Sequence, residues 1–378
     1  MPWQEVKTVS LRSEFVLLAL GDSVPFSELC RRFGISRKTG YKWLERYRQT
    51  GQAGLEDRSR RPRRSPGKVS ADIETAILAC RARHPYWGGR KLRRILEDEG
   101  YSDLPAPSTI TAILRRHDKL LSPTPPAAAS SRFEHPFPND LWQMDFKGHF
   151  QTGPQRCHPL TVLDDHSRFS LCLKACADER TETVRDALTT TFRRYGVPRR
   201  MTMDNGAPWG GGGHSRHSQL SVWLIEQGIT VGYSRPYHPQ TQGKDERFHR
   251  TMEVELLGRR GFDSLAACQR AFQRWREQYN HLRPHEALAM QTPASRYLAS
   301  ERPYQEKRPP YAYGDIDHVR RVSRDQSACF KGYRVQVGLP FVGRQIAIRP
   351  TQEDGIFTLH FCHQRIGRID LRELVRVR

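Results

Sequence analysis

SRPYHPQTQGKDERFHRT, residues 234–251, sets Glu246 at the start of a helix that follows a loop rich in Pro, Gly and Gln. Working outward, two strand-like segments upstream end in or beside an acid: LWQMDFKGHF, 141–150, contains Asp145, and RRMTMDNG, 199–206, contains Asp204. Three carboxylates far apart in the chain, each at the end of a regular element, match what a two-metal phosphoryl-transfer site requires. Mg²⁺ prefers hard carboxylate oxygens and retains waters, one of which can serve as the nucleophile. Taken singly, each acid reads better as a surface charge or a turn former; the three contexts together reverse that and point to an enzyme that cuts nucleic acid.

Composition agrees. Lys and Arg number 62 against 41 acids, a net charge of +21, and such an excess points to a polyanionic partner without bearing on the fold. Residues 1–132 carry 25 basic and 14 acidic groups, 133–300 carry 22 and 18, and 301–378 carry 15 and 9, so the excess lies in the flanks. That distribution suits ends that grip DNA around an acidic centre, although a generally basic protein shows it too. The eight cysteines are scattered without C-x-x-C, which predicts reduced core residues and no zinc site. The longest apolar stretch, Phe15 to Leu20, is too short to span a bilayer, so a soluble, cytoplasmic, nucleoid-associated protein is expected.

Six segments are predicted. Residues 1–57 read as a helix-turn-helix domain: a helix from Leu11 to Leu20, a second capped by Ser27, a break at Gly34, and a third capped by Ser36. Arg37, Lys38, Lys42 and Arg46 lie on that third helix and are candidates for DNA phosphate contact. Residues 58–69 form a basic linker in which Arg58, Arg60, Arg61, Arg63 and Arg64 suit either a narrow minor groove or a solvated tether. Residues 70–120 read as a second helix-turn-helix-like unit, its last helix capped by Ser108, and 121–138 as a Pro/Ala linker. Residues 139–300 alternate into a mixed α/β sheet with helices on its faces. The tail, 315–378, reads as five short strands, one of them at 329–337, closing a small β-barrel that contacts DNA or another subunit.

QMDFKG, VLDDHSRF, MDNGAPW, SRPYHPQTQGKDERFHRT and YNHLRPHEALAMQTPASRY together resemble the core of bacterial insertion-sequence transposases related to retroviral integrases, over residues 139–298. The resemblance implies a ribonuclease H-like α/β core behind all-α helix-turn-helix units, with Asp145, Asp204 and Glu246 as the metal-binding acids. It selects Glu246 over the adjacent Asp245 through the Gln-Gly spacing. It further implies Mg²⁺, with Mn²⁺ able to substitute, double-stranded DNA of transposon ends and target as substrate, and a homo-oligomer on paired ends. Asp164 and Asp165 in VLDDHSRF are read as turn residues. Arg235, His238, Gln242 and Arg250 flank the third acid; Arg235, Gln242 and Arg250 are candidates for DNA contact, and His238 for shaping the loop.

Two departures from the family pattern stand out. Asp204 and Glu246 are separated by 41 residues, a longer spacing than usual that Gly210 to Arg216 accounts for as a surface insertion. Glu253 occupies a position where relatives often carry Lys, so that DNA contact is lost or passes to Arg250. The competing expectations are a DNA-binding regulator derived from an inactive transposase and a nuclease acting on RNA–DNA hybrids. The intact acids oppose the first, and paired units that read duplex DNA oppose the second.

Overall fold

Phe15, Val16, Leu29, Trp43 and Leu44 are the buried side chains around which the N-terminal helices assemble. The computed structural model describes residues 8–57, 68–120, 134–211, 215–234, 243–258 and 261–374. It resolves into two units, Met1–Lys68 and Val69–Arg378.

The first unit contains α1 (Thr8–Leu20), α2 (Phe26–Arg32) and α3 (Arg37–Thr50). Gly34, at φ 64°, lets the chain turn between α2 and α3. A Cβ on Gly40 would lie 2.8 Å from Cys30 Sγ and 2.9 Å from the Phe15 ring, so the missing side chain is what lets α3 approach its neighbours. Ser36 caps α3 as expected, its hydroxyl accepting the Thr39 N–H at 3.2 Å. Ser27 does not cap α2: the helix begins at Phe26, two residues earlier than a Ser27 cap would place it, behind Pro25 at φ −53°.

The second unit opens with α4 (Ala71–Arg83), α5 (Gly89–Asp98) and α6 (Pro107–Arg116), packed around Ile77, Trp87, Leu92, Ile95 and Ile110. Ser108 lies inside α6 and does not cap it; Pro107 occupies the first turn, where its lacking N–H costs nothing. Side-chain contacts join this module to the rest of its unit. Gln278 Nε2 donates to His84 Nδ1 at 3.1 Å, and Arg90 meets Glu286 at 3.4 Å.

The central sheet is built from β1 (Leu141–Phe146), β2 (Phe150–Thr152), β3 (Gln155–Asp164), β4 (Ser170–Cys176), β5 (Arg200–Met203) and β6 (Thr230–Tyr233). β4, β3 and β1 pair antiparallel, and β5 and β6 continue from β1 in parallel, which is the mixed sheet expected from the sequence. α7 (Thr181–Tyr195) and α8 (Gln219–Glu226) share one core with Trp142, Met144 and Met201. α9 (Gly243–Met252), continued by a π-helical turn over 253–257, and α10 (Leu265–His281) pack with Leu163 and Leu173 in another.

The C-terminal strands do not close. β7 (His318–Arg321), β10 (Gln345–Pro350), β11 (Ile356–Phe361) and β12 (Gln364–Asp370) form an open antiparallel sheet in the order β12-β11-β10-β7, and β8 (Ser327–Phe330) and β9 (Tyr333–Gln336) form a separate hairpin. The single strand expected over 329–337 folds back on itself at Lys331 and Gly332, both with positive φ, the backbone of a two-residue hairpin turn. A chain spent on a hairpin cannot join the edges β12 and β7, and the expected barrel is an open sheet instead. Seven cysteines are buried, as expected, whereas Cys329 is exposed because it points outward from β8.

Candidate active site

β1 and β5 run in parallel with Gln143 opposite Thr202, so Asp145 and Asp204, each two residues further on, reach the same C-terminal edge of the sheet on neighbouring strands. That edge is where open α/β sheets expose functional groups. Asp145 Oδ1 accepts the Phe146 N–H at 2.8 Å, and Asp204 Oδ1 accepts the Gly206 N–H at 2.9 Å through the turn that Asn205-Gly206 makes.

Burial, and then the nearby Asp204 charge, push the Asp145 carboxyl up to about 7; the Phe146 N–H opposes the shift and Glu246 adds to it. Burial raises Asp204 as well, with Glu179 contributing. Glu246 is exposed at the start of α9, and Arg250 is exposed one turn later on the same face. Among the described residues no three His, Cys, Asp or Glu side chains stand close enough together to enclose a metal ion. The donor chemistry nonetheless fits a hard divalent cation: two carboxylates side by side, disfavoured in their charged forms, are the groups such an ion relieves.

Asp245 was read as a neighbour that could be mistaken for the third acid, and the structure separates the two. Asp245 is 0% exposed, on the inward helical stripe with Phe248 and Met252, while Glu246 faces out. Neither Asp245 oxygen has a hydrogen-bond partner among the described residues, and burial, with Asp145 and Asp165, holds its carboxyl well above the usual range.

Asp164 is a turn former as expected, accepting the Asn139 and Ser167 N–H groups and the Ser167 hydroxyl. Asp165 does more. It is 1% exposed, accepts from Gln143 Nε2 and the His135 N–H at 2.9 Å each, and pairs with Lys244 Nζ of α9 at 2.5 Å. The ion pair therefore fastens the helix that carries Glu246 to the end of β3. Sequence reasoning missed Lys244, although its place two residues before Glu246 was a usable signal. It also missed Glu179, whose charge is felt by both aspartates and which accepts or shares a proton with His158 at 2.7 Å. Nothing in ADER, 177–180, marks that glutamate. Glu253 is engaged by Lys147 of the β1 end at 2.5 Å.

In the first unit, Arg37, Lys38 and Lys42 are exposed on α3, with Lys42 Nζ 4.5 Å from the Trp43 ring centre, and Arg46 is half-buried over the same ring at 4.9 Å. Arg58, Arg60, Arg61, Arg63, Arg64, Arg235, His238 and Gln242 lie outside the described residues.

The raised Asp145 carboxyl makes a prediction. Between about pH 4 and pH 7 the unfolded chain has lost this proton and the folded chain keeps it, so metal-free stability falls as the pH rises through that window. Asp145→Asn is therefore expected to raise the melting temperature in EDTA at pH 8, by a gain on the order of a few kcal/mol, and to change it little at pH 4. Equal gains at both pH values in thermal melts would show that Asp145 ionises normally.

Models of the integrase core domain match residues 135–239 and 227–293, a homeodomain-like model matches 39–114, a helix-turn-helix model 12–63, and the C-terminal domain of IS481 family transposases 317–375. Among curated proteins, the chain is 27% identical over 165 residues to an uncharacterized 31.7 kDa protein of insertion element IS407 from Burkholderia multivorans, covering 44% of this chain and 57% of that one. It is 29% identical over 157 residues to an uncharacterized 39.2 kDa protein of insertion element IS476 from Xanthomonas euvesicatoria, covering 42% and 44%. The chain thus combines helix-turn-helix, integrase-core and IS481-type transposase C-terminal segments, and it is similar to proteins of bacterial insertion elements. It spans about half the length of these curated relatives. The HTLV-2 integrase catalytic core domain in complex with magnesium is 14% identical, with a TM-score of 0.32 over 43% of this chain and 97% of that one, too weak a likeness to carry the assignment. No helix of the described residues is long and apolar enough to cross a membrane.

Proposed function

We propose that the protein binds the terminal inverted repeats of a mobile element, cuts the DNA strand there and joins the freed 3′-hydroxyl to a target phosphodiester. The observation that carries this reading is the pairing of Asp145 and Asp204 at the ends of parallel neighbouring strands, with Glu246 in the first turn of α9. In it, water breaks a phosphodiester at the element's end; the 3′-hydroxyl so released then displaces a strand of target DNA, conserving the number of phosphodiester bonds in that second step.

Asp145, Asp204 and Glu246 are the residues that hold Mg²⁺ or Mn²⁺, whose bound form supplies positive charge against the phosphate and a more acidic water. The protein's own groups do the rest. The sheet edge fixes two acids, the Asp165–Lys244 pair fixes the helix of the third, and Arg250 meets a DNA phosphate beside the cut. Arg37, Lys38 and Lys42 bind end DNA, with the basic 58–69 segment and Arg235 and Gln242 as further contacts. A homo-oligomer, a dimer or larger, on paired ends completes the working assembly, which acts on DNA in the cytoplasm.

The test is strand cleavage and joining on DNA carrying the element's ends, with Mg²⁺, with Mn²⁺ and with EDTA. Metal-dependent cleavage that leaves a 3′-hydroxyl and yields joined product is expected. Binding of authentic ends with no cleavage in either metal would mean a DNA-binding regulator. For the first unit, Arg37→Ala with Lys38→Ala is expected to weaken end binding and to reduce the slope of log affinity against log salt by about 2. An unchanged slope in a salt titration would remove these residues from the interface.

A further inference from the structure

Thr161 of β3 lies directly opposite Asp145 of β1 in an antiparallel pair, so the two side chains leave the sheet on the same face. Thr161 is fully buried. Its hydroxyl donates to the Asp145 carbonyl oxygen at 3.0 Å and lies 2.9 Å from Nε2 of His249. His249 stands on α9 one turn after Glu246, on the side turned toward the sheet.

The roles in this chain follow from counting protons. A hydroxyl has one, and when it goes to the Asp145 carbonyl the oxygen can only accept from His249. Nε2 of His249 must then carry a hydrogen. Burial, with the Lys147 charge nearby, pushes the imidazole down to about 4, so the ring is neutral at pH 7 and Nδ1 is its bare nitrogen. The ring thus offers a single directed donor rather than a charge. The path from the backbone of the first acid to the helix of the third is short: the Thr161 and His249 side chains and two hydrogen bonds.

We propose that His249 and Thr161 are positioning residues, a hydrogen-bonded link that sets the Glu246 helix against the Asp145 strand so that their carboxylates meet one divalent ion. This rests on the proposed phosphoryl-transfer reading of the site. The link touches neither DNA nor the ion. Its consequence is geometric: without it, each acid keeps its chemistry and loses its register to the other.

The experiment compares Thr161→Val and His249→Leu, which remove the link at nearly constant volume, with Thr161→Ser and His249→Gln, which keep a hydroxyl and an Nε2–H donor. ¹⁵N spectra of the metal-free full chain are expected to show His249 protonated at Nε2 in the wild type. Mn²⁺ titrated against melting temperature reads metal engagement without activity. Thr161→Val and His249→Leu are expected to need several-fold more Mn²⁺ for half the stabilisation and to cleave about tenfold more slowly, with binding of end DNA kept, while the conservative pair recovers most of both. A wild type that responds to Mn²⁺ and cleaves, with Thr161→Val responding identically, overturns the positioning role alone. So does a His249 protonated at Nδ1. A wild type that neither binds Mn²⁺ nor cleaves overturns the reading of the whole site, and the positioning role with it.

Discussion

Asp145→Asn, Asp204→Asn and Glu246→Gln, made one at a time, are each expected to lower metal-dependent cleavage of end DNA by ~1000-fold or more, with DNA binding held within about threefold. The substitutions keep shape and remove charge, so a loss would belong to the chemistry and not to the fold. Asp145 and Asp204 sit side by side at the sheet edge, and neither helps to build the core. Glu246 is exposed, so its replacement should leave the melting temperature nearly unchanged. Because acids that act as one unit are not additive, the triple variant should be no slower than the worst single one. The informative control is Asp245→Asn. Asp245 points into the protein, and the variant is expected to cleave far better than Glu246→Gln. If instead Asp245→Asn were dead and Glu246→Gln active, the third acid would be Asp245.

Lys244→Met is expected to cost about 3–5 kcal/mol of stability, the usual result of leaving a buried charge without its partner. Asp165 would keep the Gln143 and His135 donors but lose the ammonium group that pairs with it at 2.5 Å, in a site 1% exposed. The same change frees the first turn of α9, so cleavage should fall even where the protein remains folded. Chemical denaturation measures the first effect, and the double variant Lys244→Met/Asp165→Asn tests its cause. With no charge left buried, the double variant should be more stable than Lys244→Met alone. A loss below about 1 kcal/mol for Lys244→Met would mean the pair is well hydrated and fastens nothing.

The elements around the site were readable in the sequence because each carries a strong local signal. LWQMDF alternates apolar Trp142, Met144 and Phe146 with polar Gln143 and Asp145, as a strand does, and Ser264 stands where a cap belongs. What could not be read was set by contacts across the chain. Asp245 and Glu246 are neighbours in sequence, and only the packing of Phe248 and Met252 decides which of them turns inward. Asp165 looked like a turn residue because its partner lies 79 positions away. Thr161 and His249 are 88 apart and carry no motif of their own. The barrel failed for a local reason in a different sense: Lys331-Gly332 is a recognisable turn pair, hidden inside a stretch whose apolar alternation reads as one strand.

The module formed by α4, α5 and α6 is tethered to the core through His84 and Gln278 and through Arg90 and Glu286. A domain hung on a slack linker can grip DNA anywhere within its reach, so its grip says little about where the strand is cut. One braced against the same body as Asp145 behaves like the fixed jaw of a caliper. Whatever that module's surface holds then lies at a set distance from the carboxylates, and that spacing becomes a dimension of the protein.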